Sequence, residues 1–405
     1  MRMVCALALL LAACSDGHPA IDPFPITIDG SLGPTFVAAA IDDASPVTAV
    51  IDTASPVTVL EGATAGTDLE RVNADLTLYA VAADGQPTVA RARFFGVTTF
   101  GDSPCAEAGP CILGEGATTR AVAAIIGGDV LAQTATRIDF SAGTLTFFPD
   151  LAGSSEVLGT TCAAVFGDPY DGGGTILVDG TEVDISGHRP VVGACAEFAE
   201  SEDVAARGTD LLLVMSTAVG PTLVGESAYR RYAVAAGAPA LSSLATGTVH
   251  LTSGATPVHF GVIDQLSLVG QESDERGPCT EIYANRLMRR DACRDVSAGI
   301  DECPCPDDDD FCRTAAVVDL LTPVRVAIIA DDHPLLVGLR AELSPEHADI
   351  DGILGTEALA PLSVDLDYPN SRMVIRCEDD AGCLPRPAIV DQNTARDIAQ
   401  CPNPV

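Results

Sequence analysis

One short pattern occurs twice in this chain, and the second copy lacks its acid. The first copy is Val50-Ile51-Asp52-Thr53-Ala54-Ser55-Pro56-Val57-Thr58-Val59-Leu60, and the second is Val214-Met215-Ser216-Thr217-Ala218-Val219-Gly220-Pro221-Thr222-Leu223-Val224. Superposed, Asp52 falls on Ser216, Thr53 on Thr217, Ala54 on Ala218 and Thr58 on Thr222. A long-period duplication fixes the architecture before any local signal does, because its two units must be built alike. A chemistry that needs two facing carboxylates finds one here.

The repeat extends beyond this pattern. Ile125-Ile126-Gly127-Gly128-Asp129-Val130-Leu131 matches Ile353-Leu354-Gly355-Thr356-Glu357-Ala358-Leu359. Without a gap, Arg137-Ile138-Asp139-Phe140 then falls on Asp365-Leu366-Asp367-Tyr368, and Thr144-Leu145-Thr146-Phe147 on Arg372-Met373-Val374-Ile375. Each copy therefore reads as a strand into a tight turn, then hairpins, then an apolar strand ending in Gly, a short helix and a last hairpin. In copy one, the turn Asp84-Gly85-Gln86-Pro87 joins two strand-like runs, the first ending near Tyr79. Copy two has a counterpart from Gly247 to Leu268, turning at Ser253-Gly254. The triplet Gly172-Gly173-Gly174 lacks the Gly-Lys-Ser/Thr ending of a phosphate loop and reads as a turn before a strand.

Composition agrees with strands. Apolar residues make up 47% of the 405, but aromatics only 4% and Trp none, so Val, Leu, Ile and Ala must fill the core. The formal charge is −35, and all 22 basic residues are Arg, which sets aside a nucleic-acid partner.

The N-terminus reads as a targeting segment. Arg2 precedes a short apolar run, Val4 to Leu11, that ends in Leu11-Ala12-Ala13-Cys14. This ending resembles a bacterial lipobox, which implies lipidation of Cys14, a cell-envelope location and, with Ser15 following, the outer membrane. The alternative is an ordinary secretory signal cleaved near Ala13, which exports the chain equally. Setting aside Cys5 and Cys14, 12 of the 14 cysteines remain, an even number suited to disulfides in an oxidising compartment. Cys105 and Cys111 share a spacing with Cys377 and Cys383, and Cys162 and Cys195 flank a strand-like stretch. A metal cluster at Cys303, Cys305 and Cys312, or calcium at Asp307–Asp310, is the less favoured reading, since no His is interleaved and the spaced ligands of a calcium loop are missing.

These motifs resemble the pepsin and retropepsin-like aspartic proteases. That family has an apolar strand, Asp-Thr/Ser-Gly-Ala/Ser, and later an apolar-apolar-Gly strand, as at Asp52-Thr53, Ile125-Ile126-Gly127 and Ile353-Leu354-Gly355. The resemblance covers most of 26–270 and 315–376 and implies an all-β, bilobal, pepsin-like acid-protease fold. Its two lobes would be duplicated and β-barrel-like, with few short helices. The expected segments are 1–14 (signal and lipobox), 15–25 (tether), 26–200 (first lobe with connecting strands) and 201–405 (second lobe). A Cys-rich insertion is expected at about 271–314.

In that family two adjacent carboxylates share one proton; one activates water and the other polarises the scissile carbonyl. The resemblance places Asp52 at the first of these positions and gives Thr53 and Thr217 the role of holding the turns together. It puts Tyr79 on a possible flap. Ser216 departs from the pattern, since a hydroxyl does not ionise near neutrality. Ala54 and Ala218 depart too, standing where the family has Gly beside the bound peptide. The reading that follows is a degenerate, envelope-anchored, monomeric relative that binds a peptide or protein in its cleft. An active endopeptidase using Asp52 and a purely structural envelope protein are the alternatives. No cofactor and no metal is expected.

Overall fold

The computed structural model describes residues 24–25, 27–28, 33–42, 44–61, 71–81, 87–101, 105, 110–131, 134–148, 169–171, 174–178, 181–185, 188–197, 208–270, 316–343, 350–367, 372–378 and 381–386. Cys14, the leader, the insertion at 271–314 with its acidic run, Cys162 and Cys401 lie outside the described residues. The architecture is all-β and two-lobed, with few short helices.

The duplication appears as identical strand registers. In the first lobe Ala124–Ile126 runs parallel to Val47–Ile51, pairing Ile126 with Ile51, and antiparallel to Thr58–Leu60, pairing Ile125 with Val59. In the second lobe Gly352–Leu354 runs parallel to Gly208–Met215, pairing Leu354 with Met215, and antiparallel to Thr222–Gly225, pairing Ile353 with Leu223. Every one of these pairs is the repeat equivalent of its counterpart. The apolar-apolar-Gly strand thus threads between the two strands of the turn pattern. Continuous apolar runs suit this place, because the strand is buried on both faces.

The first lobe is a seven-stranded sheet in which Thr35–Ile41 also pairs with Arg71–Val81, so the sheet curls back on itself as a barrel. The second lobe is an eleven-stranded sheet. Among the described residues its path runs from Ala245–Leu251 to Cys383–Arg386 without a closing pairing. Gln265–Gly270 occupies the place beside the entry strand His188–Glu197. That entry strand, one of the connecting strands inside 26–200, pairs with Gly208–Met215, Val191 lying against Val214. Phe36 lies against Val50 in the same way in the first lobe. Copy two therefore includes His188–Glu197, and this opening strand carries too little sequence likeness to Thr35–Ile41 for the repeat to be seen there.

A five-stranded sheet joins the lobes, ordered Phe24–Pro25, Thr144–Phe148, Ala135–Asp139, Leu362–Asp367, Arg372–Cys377. At its centre Arg137 pairs with Asp365, its own repeat equivalent, so a pseudo-twofold axis passes through this pair. The axial position is an ion pair. Arg137 donates to both oxygens of fully buried Asp365, at 2.6 and 2.9 Å, and Arg376 also donates to it. A buried carboxylate that loses its charge leaves its cations uncompensated. Both arginines keep a solvent-facing side, so Asp365→Asn is expected to cost about 2–3 kcal/mol, read from urea unfolding at pH 7.

The core is made of small aliphatics, as the composition requires. One cluster runs continuously from Leu60, Leu76 and Ile126 through Ile138 and Leu145 to Val364, Met373 and Ile375, crossing the joining sheet. Phe94 and Phe147 meet edge to face, 5.0 Å between centroids. Helix Glu226–Ala236 buries Tyr229 and Tyr232 in the second lobe and stops at Gly237, whose φ of 65° suits a residue without a Cβ. Cys105–Cys111 and Cys377–Cys383 are disulfides.

Candidate functional site

Each lobe delivers one copy of the turn pattern to the interface, and the two turns meet on the pseudo-twofold axis. Thr53 Oγ1 donates to the Met215 carbonyl at 2.7 Å, and Thr217 Oγ1 donates to the Ile51 carbonyl at 2.6 Å. The Thr53 N–H also donates to Thr217 Oγ1 at 3.3 Å. Both threonines are fully buried, so these bonds satisfy carbonyls that water does not reach. Threonine suits the place: its methyl fills the apolar side while its hydroxyl crosses to the other chain segment.

The hydroxyl of Ser216 donates to Asp52 Oδ1 at 2.8 Å, and the Ala54 N–H donates to the same oxygen at 2.9 Å. In the other half the Ala218 N–H donates to Ser216 Oγ at 3.1 Å. The Ser216 hydroxyl thus stands in the Asx-turn role that the Asp52 carboxylate plays in its own copy. Burial pushes the Asp52 carboxyl above the ordinary carboxylate range. The bond from Ser216, the Ala54 N–H and the positive charge of Arg189 each pull it back.

Ala54 and Ala218 each make a contact that the sequence does not show. Ala218, from the second lobe, packs in a first-lobe cluster with Phe36, Val50, Leu113 and Ile125. Ala54, from the first lobe, packs on a second-lobe cluster that includes Val191, Val214 and Val219. Each methyl crosses to the opposite lobe and widens the apolar contact between them. Both alanines also line the cavity above the turns.

That cavity has a volume of about 380 Å³ and is walled by both lobes. Asp52, Ser216 and Arg189 are at its polar end, with Thr252 and Ser253 at a hairpin tip. Pro56, Val59, Leu113, Val219, Leu251 and Leu335 supply apolar wall. Asp52 and Arg189 are the only charged residues among the described lining. Tyr79, expected on a possible flap, does not line it. Tyr79 is half-buried in Arg71–Val81, paired with Ala38 and Ala90. Among the described residues, the second-lobe hairpin, Ala245–Leu251 with Gly254–Ile263, brings its tip to the cavity.

Arg189 was not singled out from the sequence. It stands in His188-Arg189-Pro190, which matches no motif. Only the fold finds it: the paired register ends with Val191 opposite Val214, and Arg189, two residues before, lines the same cavity as Asp52 and Ser216. At the equivalent position in the first lobe, two residues before Phe36, the chain has Pro34.

A second carboxylate sits close behind the site. Asp129 is the residue after Gly127-Gly128 and accepts from Thr58 Oγ1 at 2.7 Å and from the Val130 N–H at 2.9 Å. Burial lifts its carboxyl to about 6. A folded-state value above the unfolded one means that the native state holds the extra proton. This contribution to stability is complete below the unfolded value of 3.8 and is lost as pH rises through about 6. Asp129→Asn removes the buried charge and keeps an acceptor. It is expected to stabilise the fold by about 1–2 kcal/mol at pH 7.5 and by nothing at pH 4, measured by urea unfolding at both.

No protein-family model matches this chain, and no curated protein does. Among solved structures, the chain is similar to the aspartic proteinase from Irpex lacteus, with 13% sequence identity and a TM-score of 0.37 over 90% of this chain and 100% of that one.

Proposed function

We propose that this chain is a cell-envelope lipoprotein related to the aspartic proteinases, whose interlobe cavity binds a peptide or protein segment without hydrolysing it. One observation carries this reading: the hydroxyl of Ser216 donates to Asp52 Oδ1 at 2.8 Å, where hydrolysis needs a second carboxyl group. A shared proton between two carboxyls lets one accept from water while the other donates to a carbonyl. Serine does not take up a proton near neutrality, so that exchange has no second partner. Losing one acid–base group of such a unit costs roughly 10²–10⁴-fold in rate. The cavity keeps what binding needs, an apolar wall with a few polar groups at one end.

Export with lipidation at Cys14 is supported by the Leu11-Ala12-Ala13-Cys14 ending and by two disulfides, which persist in oxidising compartments. Ser15 favours the outer membrane. Casein incubated with the full chain from pH 3 to pH 8 tests the reading. Fragments are expected no faster than with Asp52→Ala. Cleavage that Asp52→Ala abolishes would establish an endopeptidase instead.

A further inference from the structure

The two lobes touch at two levels of different character. At the turns, Thr53 and Thr217 cross between them through fully buried hydrogen bonds, and Ala54 and Ala218 add apolar contact. Beside the cavity the contacts are polar. The Gly114 N–H donates to the His250 carbonyl at 3.1 Å, and the His250 N–H donates to the Gly114 carbonyl at 2.9 Å. This bridge joins the first-lobe chain just after Cys111–Leu113 to Ala245–Leu251, the strand at one end of the second-lobe sheet. Leu113 and Leu251, its immediate neighbours, both line the cavity, as do Thr252 and Ser253 at the hairpin tip.

A second tie lies next to the bridge. Arg325 of the second lobe donates to both oxygens of Glu115, the residue after Gly114, at 3.0 and 2.8 Å. The same guanidinium donates from Nε to Glu357 at 3.1 Å, binds the other oxygen of Glu357, and lies over the Phe260 ring, 4.9 Å from its centroid. Glu357 and Phe260 belong to the lobe of Arg325 itself. Parting the lobes here therefore takes one of two carboxylates from Arg325 and leaves its charge compensated. Glu115 is already 26% exposed and is hydrated as it leaves. This differs from a buried pair, where removing one partner strands a charge. The backbone groups of the bridge likewise exchange protein partners for water at modest net cost. The crossed threonines have no such substitute, because their carbonyl partners are out of reach of water.

Resting on the binding reading above, we propose that Gly114–His250 and Arg325–Glu115 form one clasp that must open for the cavity to load. The lobes rock about the crossed threonines, and the hairpin Ala245–Ile263 lifts from the first lobe as the clasp parts. Arg325 stays with Glu357 in both positions, so the clasp closes again without a search for its cation. Glu115 is the residue that sets how often it opens.

Hydrogen exchange of the full chain in detergent, read by NMR at single amides, tests the clasp. Glu115→Gln is expected to speed exchange at Gly114 and His250 together by about tenfold or more. The Thr53 and Ser216 amides at the turns should not change. Glu226→Gln, which removes the same charge from the surface pair Arg230–Glu226, should change none of the four. Access to the cavity is read by N-ethylmaleimide labelling of Ser253→Cys, followed at position 253 by mass spectrometry. Ser253 lines the cavity, and its shielded Oγ has no hydrogen-bond partner among the described residues, so the exchange of O for S disturbs little. Adding Glu115→Gln is expected to speed this labelling by about fivefold or more. Unchanged exchange, or Gly114 and His250 responding separately, would overturn the clasp. Unchanged labelling would overturn its control of the cavity, and equal acceleration at Thr53 and Ser216 would replace rocking by a loosening of the whole fold. None of these outcomes depends on whether casein is cleaved, so the clasp and the binding reading fail separately.

Discussion

Gly127→Ala and Gly355→Ala are each expected to destabilise the protein by about 3 kcal/mol or more. The two residues are repeat equivalents, and both end the apolar strand where it presses on the turn carrying Asp52 or Ser216. A Cβ at Gly127 would sit 2.3 Å from the Val57 carbonyl oxygen and 2.8 Å from that of Ser55. At Gly355 it would sit 2.5 Å from the Pro221 oxygen and 2.6 Å from that of Gly220. These neighbours are backbone atoms, which no rotamer change can move.

The turn is also tied in place on the same side. The Gly127 N–H donates to Thr58 Oγ1 at 3.1 Å and the Gly128 N–H to the Ser55 carbonyl at 2.7 Å. The equivalent bonds in the second lobe run from Gly355 to Thr222 Oγ1 at 3.3 Å and from Thr356 to the Val219 carbonyl at 2.9 Å. A methyl group must therefore break these bonds or push the turn into the cavity. Gly116→Ala provides the control for Cβ addition in open space, since nothing lies within 4 Å there; its φ of 52° still adds a small backbone cost. Denaturant unfolding of the three variants should separate the two strand glycines from the control by at least about 2 kcal/mol.

The second large effect is expected from the crossed threonines. Thr53→Val and Thr217→Val keep the shape and remove the hydroxyl, leaving the Met215 or the Ile51 carbonyl buried and without that donor. An unsatisfied buried group costs about 1–3 kcal/mol. Thr217→Val should cost more than Thr53→Val, because its Oγ1 also accepts from the Thr53 N–H. The double variant is expected to lose about 4 kcal/mol in all, somewhat less than the sum of the singles, because the first loss already loosens the contact that the second removes. Strict additivity in a double-mutant cycle would show that the two bonds act independently and that the turns are held by other contacts.

Much of this arrangement was legible in the residues themselves. The turn pattern, its Gly strand and its last hairpin recur with enough identity to align. The structure matches that alignment pair by pair, down to Arg137 meeting Asp365 across the axis. The short helices also follow the Gly strands as expected, at Gly128–Leu131 and Thr356–Leu359. The opening strand of copy two was not legible, because Val191 and Phe36 share only apolar character. The resemblance put Tyr79 on a possible flap; among the described residues the hairpin tip that lines the cavity is Thr252 and Ser253.

Sequence by itself determined the doubling, the all-β character and the identity of the residues that face each other on the axis. Those properties are carried by local alternation, by turn chemistry and by one repeated spacing, all of which survive in a linear string. Tertiary structure alone decided that Arg189 lines one cavity with Asp52 and Ser216, that Gly114 and His250 pair across the lobes, and that the methyls of Ala54 and Ala218 pack into opposite lobes. Each of those facts depends on how two separately folded sheets dock. Docking brings together side chains whose separation along the chain encodes nothing about their distance.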